Sequence, residues 1–171
     1  MDRIFEGDPA PTDCFENLVD SNTGNKVAKK GAGRLAPWIS NDLSIDENDY
    51  RVVVCDPRKQ SMGFHQAITD SYGGLPKDIK DRLYFINSDT PAENRRWMKK
   101  TGMLNNVDIY CDTEDMDWMK SYSALGENRW SMTMFILRRG KVAKLARDLD
   151  IYNCSKTIIN AVKSMKNDQI G

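Results

Sequence analysis

The sequence predicts an α/β sandwich built on a mixed, mostly parallel sheet. Three observations carry this. Short β-branched and aromatic runs alternate with segments of helical apolar period, the order that a parallel sheet with crossover helices requires. The last apolar run turns back through Arg138-Arg-Gly-Lys141, which reads as an antiparallel hairpin. A chain of 171 residues, 40% of them apolar, has enough length for one domain with its own core, at roughly 150 residues per domain.

Each element has its own justification. Residues 1–50 carry Gly7, Pro9, Pro11, Gly24, Gly31, Gly33 and Pro37 with little apolar period, so they predict an irregular segment with an insert over about 12–50. Arg51-Val-Val-Val-Cys55, stopped by Asp56-Pro57, predicts a buried strand. Ser61 is placed to cap a helix whose Phe64, Ala67, Ile68 and Tyr72 share a face, with Gly73-Gly74 as its stop. Leu83-Tyr-Phe-Ile86 predicts a second strand. Ser88, Asp89 or Thr90 then caps a helix that has Pro91 in its first turn and Gly102 at its end. Val107–Cys111 predicts a third strand, and Asp112 or Thr113 the cap of a helix carrying Trp118, Met119, Tyr122 and Leu125, closed by Gly126. Met132–Leu137 and Val142–Arg147 form the hairpin, and Ser155 opens a last helix with Ile158, Ile159, Val162 and Met165 on one face.

Composition narrows function without naming it. Lys and Arg total 25, as do Asp and Glu, which argues against a protein built to grip nucleic acid. The cancellation is regional: basic stretches at 26–34 and 138–147 stand against acidic ones at 42–49 and 112–117, a pattern that suits docking a protein. The acidic start predicts neither a signal peptide nor a transit peptide, and no apolar run approaches the ~20 residues of a membrane helix. A soluble, intracellular location, cytoplasmic or inside an organelle, is expected. Cys14, Cys55, Cys111 and Cys154 are widely spaced and only His65 could join them, so no disulfide framework, metal site or cofactor is expected.

Several stretches together resemble peroxiredoxins of the alkyl-hydroperoxide-reductase type. They are Gly7-Asp-Pro-Ala-Pro11, the strand–turn–helix run from Ile86 to Met103, Ile109-Tyr-Cys-Asp112 with its following helix, and Met134 to Val142. The likeness runs from about residue 7 to 165 and is diffuse from 12 to 50. It implies a thioredoxin-like (redoxin) fold in a single domain over 1–171, with an activity that reduces peroxides through a cysteine in P-x-x-x-[ST]-x-x-C. That cysteine belongs at a helix start, where the helix dipole and an arginine stabilise a thiolate. Here Pro57 and Ser61 hold the expected places and Phe64 stands where the resemblance expects the peroxidatic cysteine. Arg129 is the nearest candidate for the family's second arginine and sits a residue or two out of register. The W-C-x-x-C of thioredoxins is absent.

Two readings follow. In the first, the chain is a redoxin-fold protein without peroxidase activity, a binding or structural module within a larger assembly or homo-oligomer. Its partner contacts would be Leu35, Trp38 and Ile39 of the insert, an apolar cluster whose tryptophan is of a type enriched at interface hot spots, and Arg138, Arg139 and Lys141 of the basic hairpin. In the second, it is a divergent thiol oxidoreductase using Cys55 or Cys111. Cys55, beside Arg58 and Lys59, is the candidate for an acidified thiol. The two thiols should lie on strands flanking that of Ile86, roughly 9–10 Å apart and too far for a disulfide. His65 reads as a solvated surface histidine, and Gly31-Ala-Gly33-Arg34 lacks the G-K-[ST] of a phosphate loop.

Overall fold

The computed structural model describes residues 4–11, 13–15, 17–26, 50–113, 115–122 and 132–168. Six strands form one sheet: β1 (Val19–Asp20), β2 (Arg51–Asp56), β3 (Leu83–Asn87), β4 (Ile109–Cys111), β5 (Thr133–Arg138) and β6 (Lys141–Arg147). Their spatial order is β1-β4-β3-β2-β5-β6. Strands β2, β3 and β4 run parallel, while β1, β5 and β6 pair antiparallel. The mixed sheet expected from the alternation is present, but it is not mostly parallel: two of its five pairings are parallel and three antiparallel, because the β5–β6 hairpin enters beside β2 and β1 caps the other edge in the opposite direction.

The strands form because their side chains find burial on both faces. Val52 and Val54 of β2, Phe85 of β3 and Ile136 of β5 join one cluster; Val53, Cys55, Tyr84, Ile86 and Phe135 join the other. This period-2 division explains why β2 reads as an unbroken apolar run. The covering is uneven. Helices α1 (Met62–Gly74), α2 (Lys77–Lys80), α3 (Pro91–Thr101) and α5 (Cys154–Asn167) put Phe64, Ile68, Ile79, Met98, Ile158 and Val162 on the first face. The second face receives the short α4 (Asp117–Ser121) and the N-terminal residues Ile4, Cys14, Phe15 and Leu18. There Trp118 stacks on Tyr122 at 4.2 Å, with Phe15 and Phe135 edge-on to both. The aromatic stack gives a small helix enough buried area to hold that face.

Cap chemistry sets most helix ends. The Ser61 hydroxyl accepts the Phe64 N–H at 3.1 Å. Thr90 and Glu93 form a reciprocal capping box, Pro91 opens α3, and Gly102 closes it in the left-handed region at φ 74°. Two helix starts are corrected. The fourth helix does not start at Asp112 or Thr113 but at Asp117, because the buried Asp112 carboxylate reaches forward to the N–H groups of Trp118 and Met119 at 3.2 and 2.9 Å. The last helix begins at Cys154, and the Ser155 N–H is taken by Asp70 of α1 at 2.8 Å, so Ser155 opens nothing. The paired glycines end α1 as expected, with Gly74 its last helical residue and Leu75 its cap. Helix α2 and strand β1 are too short to show a period in the sequence.

The hairpin has Arg139 and Gly140 at φ 53° and 72°, both left-handed as a type I′ turn demands. Its outer strand β6 is covered by residues 4–10: Gly7 N–H donates to Val142 O at 2.8 Å, Val142 N–H to Asp8 O at 2.9 Å, and Ala10 N–H to Gly140 O at 2.8 Å. This strap blunts an edge that would otherwise be open to another chain.

Candidate functional site

The carboxyl ends of β2, β3 and β4 lie side by side, the place where parallel α/β sheets present chemistry. Asp56 ends β2, Asn87 ends β3 with Ser88 and Asp89 following, and Cys111 ends β4 with Asp112 following. The buried Asp56 carboxylate holds Arg58 in a bidentate pair at 3.0 and 2.9 Å and also accepts the Arg58 backbone N–H. Ser88 Oγ donates to Pro57 O at 2.8 Å, fixing the turn before α1. Gln60, at φ 50°, gives its N–H to Asp89 Oδ1 and its side-chain amide to Glu93, both at 2.8 Å. Burial raises the Asp89 pKa, against the lowering pull of that N–H.

Phe64 enters the core from the first turn of α1. It is 1% exposed and meets the Phe85 ring edge-on at 5.8 Å between centroids. His65 departs from the solvated histidine expected: it is half-buried and lies flat on Trp97 of α3, 4.3 Å away and 7° from parallel. Burial lowers its pKa, with the Asp89 charge pulling the other way.

A second polar cluster lies beneath the same edge. Asn94 of α3 donates to Asn87 Oδ1 at 2.9 Å, Ser21 Oγ at 3.0 Å and Cys111 Sγ at 3.2 Å, and Ser21 Oγ lies 3.2 Å from the same sulfur. All four side chains are buried. Ser21 stands 90 positions from Cys111, joined to it through the β1–β4 pairing, and no local sequence pattern could have announced the cluster.

No family model matches this chain, and no curated protein matches it. Solved structures do. Peroxiredoxin Q of Xanthomonas campestris, in a variant form, superposes with a TM-score of 0.66 at 14% identity over 93% of this chain and 97% of that one. The bacterioferritin comigratory protein of the same organism gives 0.67 at 14% identity, covering 94% and 98%. A thiol peroxidase from Chromobacterium violaceum gives 0.61 at 17% identity, covering 96% and 90%. The fold is peroxiredoxin-like.

On this peroxiredoxin-like scaffold the sequence-derived site residues fall as follows. Pro57, Ser61 and Phe64 come together at the start of α1, but Ser61 is occupied as a cap and Arg58 is turned to Asp56. Cys55 and Cys111 do flank β3, which carries Ile86 between them. Cys55 is a packed thiol and lacks the acidification that the oxidoreductase reading needs: burial pushes its thiol up, neighbouring Asp56 pushes it further, and its Sγ contacts Thr133 O at 3.5 Å. Burial likewise raises Cys14 to about 12, and Cys111 and Cys154 each to about 11. For Cys111 the hydrogen bonds from Ser21 and Asn94 pull down without winning. All four thiols are buried and unpaired.

The basic hairpin is less solvated than its charge suggests. Arg138 is 8% exposed, Lys144 pairs with Asp168 at 2.8 Å, and Arg147 donates to Ile4 O. Nor is 112–117 a single acidic face, since Asp112 is buried as a cap. Arg129, Leu35, Trp38, Ile39 and the 31–34 stretch lie outside the described residues. Among the described residues, no helix is long and apolar enough to cross a membrane, and no three His, Cys, Asp or Glu side chains converge as metal ligands.

Proposed function

We propose that this chain is a redoxin-fold protein without peroxidase activity, acting as a binding or structural module for a protein partner. The observation that carries the proposal is Phe64. It is a side chain with no nucleophile, packed on Phe85 at the helix start where the resemblance expects the reactive sulfur. Its surroundings agree, because the groups that would orient a peroxide and lower a thiol pKa, Ser61 and Arg58, are engaged in a cap and an ion pair. The insert with Leu35, Trp38 and Ile39 and the hairpin residues Arg138, Arg139 and Lys141 are the proposed partner contacts. Four unpaired thiols suit a reducing compartment.

The competing reading, a divergent thiol oxidoreductase, is favoured only by the donors around Cys111. Burial raises the Cys111 thiol to about 11, which disfavours the reactive thiolate at neutral pH. Peroxide consumption with a thiol reductant separates the two, comparing the native chain with Cys55→Ser and Cys111→Ser. The proposal expects no turnover from any of them. Turnover abolished by either substitution would overturn it.

A further inference from the structure

Sulfur lies fully open to solvent at one place among the described residues. Met62, the first residue of α1, is 85% exposed. Met98, Met119, Met132, Met134 and Met165 are buried, as are all four cysteines, and Met103 and Met116 are half-buried. A thioether needs no ionisation to attack a peroxide oxygen, so contact with the oxidant is what limits it, whereas a thiol must first become thiolate. Packing therefore inverts the usual order of sulfur reactivity in this chain.

The surroundings of Met62 give its oxidation a consequence. Gly63 lets the start of α1 approach the turn before α5: a Cβ there would come 3.6 Å from Ile151 Cγ2. Beside Ile151, Tyr152 is 71% exposed, and Asp150 holds that turn by accepting the Tyr152 N–H at 3.0 Å and the Asn153 side-chain amide at 2.7 Å. Met62 and Tyr152, both large, apolar and exposed, thus flank one contact between elements. The positive end of the α1 dipole also lies at Met62, where the negative oxygen of a sulfoxide is favoured.

We propose that Met62 is a redox-modification site, its Sδ taking one oxygen atom from a hydroperoxide to form methionine sulfoxide. The sulfur attacks the distal peroxide oxygen, an S–O bond forms and the O–O bond breaks. The peroxide's proton passes to the displaced oxygen, which leaves as an alcohol, or as water from hydrogen peroxide. Sulfur gives up two electrons and the peroxide gains them. The step consumes one oxygen per site without turnover, so it and the absence of peroxidase activity can fail independently. It turns an apolar side chain beside Tyr152 into a polar one, and the open site leaves the sulfoxide within reach of a methionine sulfoxide reductase.

Hydrogen peroxide is the probe, added to the folded protein, with the sulfoxide at each methionine followed over time by peptide mass. Met62 should oxidise about tenfold or more faster than Met98, Met119, Met132, Met134 or Met165, a gap that closes in denaturant. Met62→Leu should lose the fast component and keep the native melting temperature. Oxidation at Met62 should leave that temperature unchanged, and methionine sulfoxide reductases with a thiol reductant should reverse it in the folded protein. The proposal is overturned if Met62 reacts no faster than the buried methionines, or if a cysteine sulfenic acid forms first. It is equally overturned if oxidation at Met62 lowers the melting temperature by several degrees, or if the reductases act only on denatured protein.

Discussion

Phe64 and His65 are adjacent in the chain and face opposite fates, because a helix turns consecutive side chains about 100° apart. Phe64 points beneath the sheet and His65 out toward Trp97. Phe64→Cys would lose the ring contact with Phe85 and leave a thiol in an apolar site. We expect a loss of about 3 kcal/mol in urea unfolding and no gain of peroxide consumption. A peroxide-reactive thiolate near neutral pH in that variant would show that the rest of a peroxidatic site survives. His65 makes a pH prediction. Its folded-state pKa lies below the ordinary 6.5, so its stabilising contribution is present above 6.5 and lost as pH falls through the lowered value. The drop in urea midpoint between about pH 7.5 and about pH 5.5 should therefore be smaller in His65→Gln than in the native chain.

At the scale of elements, the packing of α1 against α5 depends on a close approach at Gly74. A Cβ there would lie 2.9 Å from Ser155 Cβ, an atom that cannot swing away. Asp70 binding the Ser155 N–H and Ser71 Oγ donating to Cys154 Sγ at 3.2 Å hold the two helices at that spacing. Gly74→Ala should then destabilise by about 1–3 kcal/mol despite its better helix propensity, read as a lowered melting temperature. The opposite sign would mean that α5 shifts freely. The glycine pair ends the helix as the sequence predicts, and its second member also serves helix–helix contact. Capping was more legible: Ser61, Thr90, Pro91 and Gly102 act through partners within three or four residues, so the chain itself carries the signal. Asp112 was legible as a cap but its helix start was not, because its carboxylate reaches a helix that begins five residues later.

For the whole molecule, the four cysteines are distributed through both layers and each is protected by the packed sheet. A water-soluble thiol reagent at about pH 8 should label none of them in the native protein and all four in denaturant, at rates that follow unfolding. Fast native labelling of Cys111 would revive the oxidoreductase reading. The same distribution explains why the thiols could not be ranked beforehand. Arg58 and Lys59 follow Cys55 closely in sequence, but Arg58 turns to Asp56 and the sulfur faces Thr133 O in the interior.

What the sequence determined by itself is everything that acts over one or two turns of chain. Alternating apolar periods set the strand–helix order, the cap residues set the helix starts at Ser61 and Thr90, and the apolar runs on either side of Gly140 set the hairpin. These interactions are local, so the pattern of side chains along the backbone is sufficient to specify them. The tertiary structure alone decided the groupings between distant residues: Ser21 with Cys111 and Asn94, Asp70 with Ser155, His65 with Trp97, and Lys144 with Asp168. It also decided the chemistry of every thiol. Burial outweighs the neighbouring charges and hydrogen-bond donors, and burial is a property of the packed sheet that no short stretch of sequence contains.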